Sequence, residues 1–385
     1  MRIAIIAPAH PYKGGPAQHA TSLAHHLEAA GHEVLLQSWS AQYPKLLYPG
    51  QLTVDTPEIP LFANTTRTLS WRRPDGWWRI GRRLGRTMDA VILFVYTPIQ
   101  VPAYWTIARA AKSGGCQMIA LCNNLLPHEP HRFDEPLMRV LLRRMDGILV
   151  HSQEQGALAA DFSDARVFVC RLPPHLPTTA HQQEPSSAAR HNRLLFFGIV
   201  RRYKGLDILL RALAGGPPEV SLIVAGELWE DREALIKQIA ELGLEQRVEL
   251  REGYVASEDI QSLFASADAL VLPYRSATSS QNALIAFDFG VPVIATNTGG
   301  LADAVQDGVN GLTCAPNDVG SLTQALQDFY APGMAEQLRG GVEPVDGEAP
   351  SSCCSAGAAR GVRRARPRAA FGPAVTRSRT RTFGT

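Results

Sequence analysis

Two basic residues, Arg201 and Lys204, stand on a short loop between an apolar strand and a helix with apolar periodicity. In open α/β sheets, ligands bind beyond the carboxyl ends of parallel strands, and this loop follows such a strand. An arginine fork and a lysine point charge both suit phosphate oxygens, and they stabilise the negative charge that develops on a departing diphosphate. The loop therefore predicts a site for a diphosphate leaving group, and hence group transfer.

A second loop, with the sequence SATSSQN, precedes another helix in the same half of the chain. Ser279 or Ser280 is suited to cap that helix. Their hydroxyls and the free N–H groups at Gln281 and Asn282 can bind phosphate oxygens without a carboxylate nearby. We expect these four residues to contact the diphosphate. Simple helix capping is an alternative that is compatible with this role.

The elements that must position these loops form two βα series. The first opens with a strand at 2–7, a loop that contains Gly14 and Gly15, and a helix over about 17–30. Its further apolar runs are typical of parallel strands covered on both faces and lie at 90–95, 118–121 and 147–150. The second series has predicted strands at 194–197, 221–225, 247–250, 269–272 and 291–295 and a last helix over about 319–330.

These series predict an α/β fold of two doubly wound Rossmann-like domains that face a cleft, with boundaries at 1–175 and 194–335. Residues 176–193 are rich in Pro, Thr, Gln and Ser, which indicates a linker. Residues 336–385 form a basic tail rich in Ala, Arg and Pro. We interpret this tail either as disordered or as the product of a reading-frame change that replaced the true C-terminus.

Charge and cysteine content limit the function classes. Eight of the 38 basic residues lie at 351–385, where there is no acid, so the first 350 residues carry 30 basic against 36 acidic side chains. A mildly acidic body argues against nucleic-acid binding. The six cysteines form no CxxC pair and no metal-ligand spacing, which favours buried, reduced thiols and a cytoplasmic location. The apolar opening reads as a strand rather than a signal peptide, and no apolar run reaches the roughly 18 residues of a membrane span.

Over about residues 1–335 the chain resembles a family-4 glycosyltransferase with the two-domain GT-B architecture. The resemblance rests on the glycine loop, the helix and GHEV after it, on KG at Lys204 and Gly205, and on ADALVLPY, GVPVIAT and the glycines 299 and 300. It implies transfer of a sugar from a nucleotide-diphosphate donor to an acceptor hydroxyl, with retention of configuration and without a metal or other cofactor. The N-terminal domain would take the acceptor, and the C-terminal domain the donor.

The resemblance also assigns roles to residues at the diphosphate. Lys204 matches the lysine that holds the donor diphosphate. The arginine usual after the strand-end glycine is replaced by Ile199, which makes Arg201 the substitute on the same loop. Gly14 and Gly15 match the glycine loop that comes close to the donor phosphates and the acceptor, because glycine permits close backbone approach.

Other carried-over positions concern the base and the acceptor. Tyr254 and Val255 occupy the turn where the family stacks and backbone-bonds the nucleobase. The histidine that often lies beside the transferred sugar is Asn123 here. His128 and Glu129 follow as candidates for acceptor activation or sugar contact, with a polar loop as the alternative. No metal site is expected, because the histidines near this loop lack further ligands.

The chain departs from the family pattern at a pair of glutamates. The family usually carries two, eight positions apart, and the second binds the ribose hydroxyls; here those positions hold Ala277 and Ile285. Neither side chain can accept a hydrogen bond, so this pair offers no ribose contact. The missing glutamates, the missing histidine and the unusual tail favour an alternative function, a catalytically inactive GT-like binding or scaffold protein. A nicotinamide-dependent enzyme is disfavoured because no GxGxxG follows any strand.

The segment from Trp71 to Arg86 holds three of the six tryptophans and six arginines. Basic side chains interleaved with tryptophan suit an anionic membrane surface or a lipid-linked acceptor. The segment could equally be a helix whose tryptophans face the domain core while its arginines are solvated. The first alternative would place the protein peripherally at the inner face of a bacterial membrane, in the synthesis of a glycan or glycolipid.

Overall fold

The computed structural model describes residues 1–42, 53, 59–127, 131–170, 191–277 and 281–343. These residues form two α/β domains, each built on a parallel sheet. The N-terminal sheet has the strand order β3-β2-β1-β4-β5-β6-β7, and the C-terminal sheet has the order β10-β9-β8-β11-β12-β13. Both orders reverse direction beside the first strand of the domain, as in doubly wound Rossmann-like folds. The predicted fold class is confirmed.

The N-terminal domain contains seven strands and five α-helices within its described residues. The strands are β1 (Arg2–Ile6), β2 (Glu33–Ala41), β3 (Thr65–Ser70), β4 (Ala90–Val95), β5 (Gln117–Cys122), β6 (Gly147–Val150) and β7 (Arg166–Val169). The helices are α1 (Gly15–Ala29), α2 (Pro74–Thr87), α3 (Val101–Lys112), α4 (Asp134–Leu142) and α5 (Gln153–Phe162), with a 3₁₀ turn at Pro98–Gln100.

The described C-terminal domain contains six strands and seven α-helices. The strands are β8 (Arg193–Phe197), β9 (Ser221–Gly226), β10 (Val248–Glu252), β11 (Ala269–Leu272), β12 (Val293–Thr296) and β13 (Gly311–Cys314). The helices are α6 (Leu206–Gly215), α7 (Arg232–Glu241), α8 (Ser257–Ala265), α9 (Gln281–Asp288), α10 (Gly299–Ala304), α11 (Val319–Phe329) and α12 (Met334–Gly340), with a 3₁₀ turn at Arg202–Lys204.

The hydrophobic cores lie on both faces of each sheet. Every residue of β4, with the sequence AVILFV, is buried, and so is every residue of β11, with the sequence ALVL. Such strands have no polar face because helices cover both sides of a parallel sheet. Each domain accordingly has two core clusters, one per face. The sheets thus fix the position of the loops at their carboxyl ends.

Helix α2 carries the tryptophan- and arginine-rich segment. Its buried residues are Ile80, Gly81, Leu84 and Gly85, and Trp77 packs partly buried against the core of the domain. A Cβ on Gly81 would lie 2.6 Å from the carbonyl oxygen of Ile107, and a Cβ on Gly85 would overlap the backbone of Ala111. The glycines therefore allow α2 and α3 to pack with their backbones in contact. Among the tryptophans, Trp78 is 40% exposed.

The C-terminal domain continues past the predicted boundary at residue 335. Helix α12 runs over Met334–Gly340, and its Leu338 is fully buried in the core of the domain. The Arg339 guanidinium also donates a hydrogen bond to the Asp268 carbonyl, at 3.4 Å. The sequence did not predict α12, because a helix of seven residues with one buried apolar residue shows too little periodicity. Residues 344–385 of the predicted tail and residues 176–190 of the predicted linker lie outside the described residues.

The four cysteines in the described part of the chain are buried and free, which confirms the prediction of reduced thiols for Cys116, Cys122, Cys170 and Cys314. Burial raises the pKa of the Cys122 thiol well above its usual range. Cys353 and Cys354 lie outside the described residues. A search of the described helices finds none with the length and apolar character that a membrane crossing requires.

Candidate functional site

A cleft with a volume of about 320 Å³ opens between the two domains at the carboxyl ends of their strands. The N-terminal domain supplies the loop after β1 and the start of α1, and the C-terminal domain supplies the loops after β8, β9 and β10 and the start of α9. The lining residues are His10, Lys13, Gly14, Gly15, Gln18, Phe197, Gly198, Ile199, Lys204, Gly226, Glu227, Gly253, Tyr254, Val255 and Asn282.

Lys204 reaches the cleft from the last position of the 3₁₀ turn that follows β8. Gly205, the next residue, has φ +70° and is the N-cap residue of α6. A Cβ at this position would overlap the carbonyl oxygen of Pro273, so the tight approach between this turn and the end of β11 requires glycine. The turn directs the Lys204 side chain inward, and the residue is buried.

Two nitrogen donors converge beside Gly198, at the end of β8. A Cβ placed on Gly198 would lie 3.1 Å from Lys204 Nζ and 3.2 Å from Asn282 Nδ2. Asn282 is held in place because its Nδ2 donates to the Phe197 carbonyl at 2.8 Å. The Asn282 Nδ2 also donates to the Tyr274 hydroxyl at 3.4 Å. The glycine therefore leaves the end of β8 open beside the Lys204 ammonium, which can bind an anionic oxygen in the cleft.

Burial, together with the charge of Arg201, lowers the pKa of Lys204 from 10.5 to about 8. A buried ammonium is disfavoured unless an anion accompanies it. Lys204 Nζ lies 5.6 Å from the centroid of the Tyr274 ring, a contact that offers partial but not full compensation. The site thus holds a cation that is stabilised by the arrival of a phosphate.

Arg275 clamps the turn that carries Lys204. Its Nη1 and Nη2 each donate to one carboxylate oxygen of Asp207 at 2.9 Å, and Nη1 also donates to the Arg202 carbonyl at 2.8 Å. Burial alone would raise the pKa of Asp207, but the hydrogen bond and charge of Arg275 hold it below its ordinary value. This bidentate pair fixes the position of the turn relative to β11.

Arg201, the predicted partner of Lys204, is exposed and lies at the rim rather than among the lining residues. Its guanidinium carbon lies 5.4 Å from the centroid of the Trp229 ring. Trp229 in turn donates from Nε1 to Glu227 Oε2 at 3.4 Å. Arg201 therefore contributes positive potential to the site, and its charge adds to burial in lowering the pKa of Lys204.

The N-terminal wall of the cleft is the predicted glycine loop. Gly14 has φ +102° and precedes α1, and Gly15 has open space where a Cβ would stand. Lys13 forms an ion pair with Glu227 of the other domain, and its Nζ lies 4.4 Å from the centroid of the Tyr254 ring. The loop therefore supplies both an unobstructed backbone and a cation that bridges the two domains.

Tyr254 and Val255, predicted at the nucleobase, line the far end of the same cleft. Tyr254 is 56% exposed, so its ring can be stacked on by a planar group. The turn begins at Gly253, whose N–H donates to the Gly226 carbonyl at 3.1 Å. The structure thus brings the predicted base turn and the predicted phosphate residues to one cleft, although their roles as ligands stay predictions.

Other predicted site residues do not line the cleft or lie outside the described residues. Asn123 follows β5, and its N–H donates to the Val95 carbonyl at 2.9 Å; it is not a lining residue of the cleft. Gln281 begins α9 and is likewise not a lining residue. His128, Glu129, Ser279 and Ser280 lie outside the described residues.

The two positions where the family usually has glutamates hold apolar residues that are buried. These residues, Ala277 and Ile285, belong to the core of the C-terminal domain. In the described parts of the chain, no three His, Cys, Asp or Glu side chains come together as a possible metal-binding group.

Sequence reasoning missed Gly198, Glu227 and His10 as lining residues. Glu227 directly follows β9, at the same sheet edge as the loops that were predicted. The rule that residues at the carboxyl ends of neighbouring parallel strands meet could have found it. The family pattern instead places the ribose-binding carboxylate on α9.

Two family models match most of this chain between them. The model described as Glycosyltransferase Family 4 matches residues 13–172, and the model described as Glycosyl transferases group 1 matches residues 178–338. Residues 173–177 separate the two matches.

Among curated relatives, the D-inositol 3-phosphate glycosyltransferase of Mycobacterium sp. (strain KMS) is 32% identical over 157 residues, which are 40% of this chain and 36% of the relative. The glycogen synthase of Pseudomonas syringae pv. syringae (strain B728a) is 33% identical over 153 residues, which are 37% of this chain and 31% of the relative. The chain thus spans about a third of the length of these relatives.

Solved structures resemble the whole fold. Anabaena HepE in complex with UDP-glucose superposes with a TM-score of 0.70 at 18% identity, covering 94% of this chain and 99% of that one. The sucrose-phosphate synthase of Thermosynechococcus elongatus superposes with a TM-score of 0.67 at 19% identity, covering 92% and 94%. The chain thus carries a Glycosyltransferase Family 4 domain followed by a Glycosyl transferases group 1 domain, and the two domains together have the GT-B fold of these structures.

Proposed function

We propose that this protein transfers a sugar from a nucleoside-diphosphate-sugar donor to an acceptor hydroxyl. The observation that carries the proposal is the convergence of Lys204 Nζ and Asn282 Nδ2 beside Gly198, in a cleft that Tyr254 and Val255 also line. Such a cleft suits a ligand with a diphosphate at one end and a planar base at the other. The likeness of the fold to HepE, solved with UDP-glucose, supports a donor of this class.

In this proposal the cations supply the charge stabilisation of the reaction. As the bond between the sugar and the diphosphate breaks, negative charge grows on the leaving oxygens, and Lys204 with the positive rim at Arg201 stabilises it. The proposal therefore needs no divalent ion for this step. Retention of configuration is the expectation from the family resemblance. The acceptor would enter from the N-terminal domain, and closure of the cleft would exclude water and limit donor hydrolysis.

A nucleotide screen tests the donor site. We expect at least one of UDP, GDP, ADP, CDP and dTDP to raise the melting temperature of the full chain, because a ligand at a hundredfold excess over its Kd stabilises the folded state by about 2.7 kcal/mol. If none of the five shifts the melting temperature at millimolar concentration, the proposed function is wrong. The corresponding donor sugar then separates an enzyme from an inactive binding protein, since only the enzyme releases free nucleotide in the presence of acceptors or water.

We further propose a cytoplasmic location and a role in glycan or glycolipid synthesis, with peripheral membrane contact through α2. The buried, free cysteines support a reducing compartment. The outer face of α2 exposes Trp78, Arg82 and Arg86, a combination that suits the interface of an anionic bilayer.

Liposome co-sedimentation tests the membrane contact. We expect the wild-type chain to sediment with phosphatidylglycerol vesicles and not with phosphatidylcholine vesicles. Exchange of Arg82 and Arg86 for glutamine should weaken sedimentation at least tenfold, since each basic residue near an anionic surface contributes about 1 kcal/mol. The matched control removes two exposed cations of the other domain, Lys237 and Arg251, in the same way. Contact through α2 would be refuted if both variants lost sedimentation equally, or if the wild-type protein stayed in the supernatant.

A further inference from the structure

We propose that Glu227 binds the ribose hydroxyls of the donor, in place of the carboxylate that this chain lacks on α9. The inference rests on the proposed function, because it assumes that the cleft holds a nucleoside diphosphate. Glu227 is the carboxylate among the residues that line the cleft. It belongs to the loop after β9, which the sequence analysis assigned no role.

The order of the strands places Glu227 between the two ends of the ligand. In the C-terminal sheet, β9 lies between β10, which leads to Tyr254 and Val255, and β8, which leads to Gly198 and Lys204. Adjacent strands are about 4.8 Å apart, so the base turn and the phosphate loop are separated by about 10 Å. Ribose is the part of a nucleoside diphosphate that joins the base to the phosphates. The residue that follows the middle strand is therefore next to the ribose.

Backbone contacts hold the three loops together at this point. The Gly253 N–H donates to the Gly226 carbonyl at 3.1 Å. A Cβ on Gly226 would overlap the carbonyl oxygen of Gly198, so these two backbones are in direct contact. Glu227 follows Gly226 immediately. Main-chain contacts consequently fix the backbone of Glu227 relative to both the base turn and the phosphate loop.

The carboxylate of Glu227 can lie near a diphosphate because an ion pair with Lys13 balances its negative charge. Its Oε1 pairs with Lys13 Nζ, and its Oε2 accepts from Trp229 Nε1 at 3.4 Å. A carboxylate offers about four lone-pair directions, so these two donors leave capacity for two hydroxyl donors. Lys13 neutralises the charge that would otherwise repel the phosphates. The side chain of Glu227 is 19% exposed, so one part of it still faces the cleft.

The position usual for this contact cannot provide it in this chain. Ile285 is buried among apolar side chains of the C-terminal domain and carries no acceptor. A buried ribose without an acceptor for its hydroxyls would lose hydrogen bonds on leaving water. Glu227 supplies that acceptor, and it gives the site a measurable preference for ribonucleotides over 2′-deoxyribonucleotides.

The test compares each nucleoside diphosphate with its 2′-deoxy counterpart. Binding of UDP, GDP, ADP and CDP, and of dUDP, dGDP, dADP and dCDP, is measured by calorimetry on the full chain. For whichever ribonucleotide binds, we expect the deoxy form to bind about tenfold or more weakly, because a hydrogen bond to a charged acceptor is lost. In Glu227→Gln and Glu227→Ala the two forms should bind within about threefold of each other.

The ratio between the two sugars is the readout, because removal of Glu227 also frees Lys13 and can change the affinity for any diphosphate. The matched control is Glu252→Gln, at the end of the neighbouring strand β10. The Glu252 carboxylate pairs with Arg232 and does not line the cleft. This variant should keep the wild-type ratio.

Three results would overturn the inference, and they are distinguishable. If wild-type protein binds ribonucleotides without preference, or if both Glu227 variants keep the preference, Glu227 does not bind the ribose while the proposed function stands. If wild-type protein binds none of the eight nucleotides, this inference falls, and the proposed function falls with it only if dTDP does not bind either. Melting curves of each variant without ligand confirm that it is folded, as expected for a partly exposed side chain.

Discussion

Replacement of Lys204 by methionine is expected to make the ligand-free protein more stable at pH 7 and to abolish nucleotide binding. The pKa of Lys204 is about 8 in the folded chain, against 10.5 for an ordinary lysine. Between these two values the unfolded chain binds more protons than the folded one, so the contribution of this group to stability rises with pH over that window. Below pH 8 the full penalty is present, and it amounts to about 3 kcal/mol at 1.36 kcal/mol per pKa unit.

Methionine fills similar space without charge, so Lys204→Met should remove most of that penalty at pH 7 and little of it near pH 10. The measurements are urea unfolding at both pH values and the melting shift produced by the nucleoside diphosphate that binds the wild type. The control is Arg202→Met, which removes an exposed cation from the same turn and should leave both quantities nearly unchanged. A less stable Lys204→Met protein at pH 7, or one that still binds the nucleotide, would contradict this account of the site.

The second large effect concerns the contact between α2 and α3. Gly85→Ala should destabilise the N-terminal domain by about 3 kcal/mol, because the new methyl group would overlap the Ala111 backbone and force two packed helices apart. The same substitution at Gly76, in the first turn of α2, meets nothing closer than 3.8 Å. Gly76→Ala should instead stabilise by about 0.5–1 kcal/mol through helix propensity.

The two variants make the same chemical change on one helix, and opposite signs are expected in thermal unfolding. Nucleotide binding should persist in both at temperatures where the protein is folded, because the donor residues belong mainly to the other domain. If Gly85→Ala were as stable as Gly76→Ala, the close backbone contact between α2 and α3 would not exist as described.

Much of the fold could be predicted because its central strands are continuous apolar runs. β4, β6 and β11 begin and end where the sequence indicates, since strands buried on both faces carry an unmistakable pattern. The strand β3, with the sequence TTRTLS, was missed because it lies at the sheet edge and needs few apolar residues. β13, with the sequence GLTC, is also an edge strand and only four residues long.

The role of α2 was left open between two alternatives because its buried face mixes apolar residues with glycines. The structure buries Ile80 and Leu84 on that face together with Gly81 and Gly85. Of the tryptophans, Trp77 packs partly buried against the same core. Glycine within a helix usually lowers the confidence in a helix assignment. Here it marks a close approach to a partner helix, which only the three-dimensional arrangement reveals.

The site was predicted best on the loops that the motifs mark, at the carboxyl ends of strands and at the start of α9. Lys204, Gly14, Gly15, Tyr254, Val255 and Asn282 all line the cleft. Arg201 was predicted inside the cleft and lies at its rim, because the 3₁₀ turn after it directs Lys204 inward instead. Glu227 could not be inferred from family resemblance, since its place in the cleft depends on which strands are neighbours rather than on any motif.

The ion pair between Lys13 and Glu227 has a consequence for engineering this scaffold. One partner belongs to each half of the molecule, so neither half carries the complete contact by itself. A chimera that combines the first half of this chain with the second half of a relative must restore an acid opposite Lys13. Otherwise the hybrid would leave a poorly solvated ammonium at the seam, however well each half folds by itself.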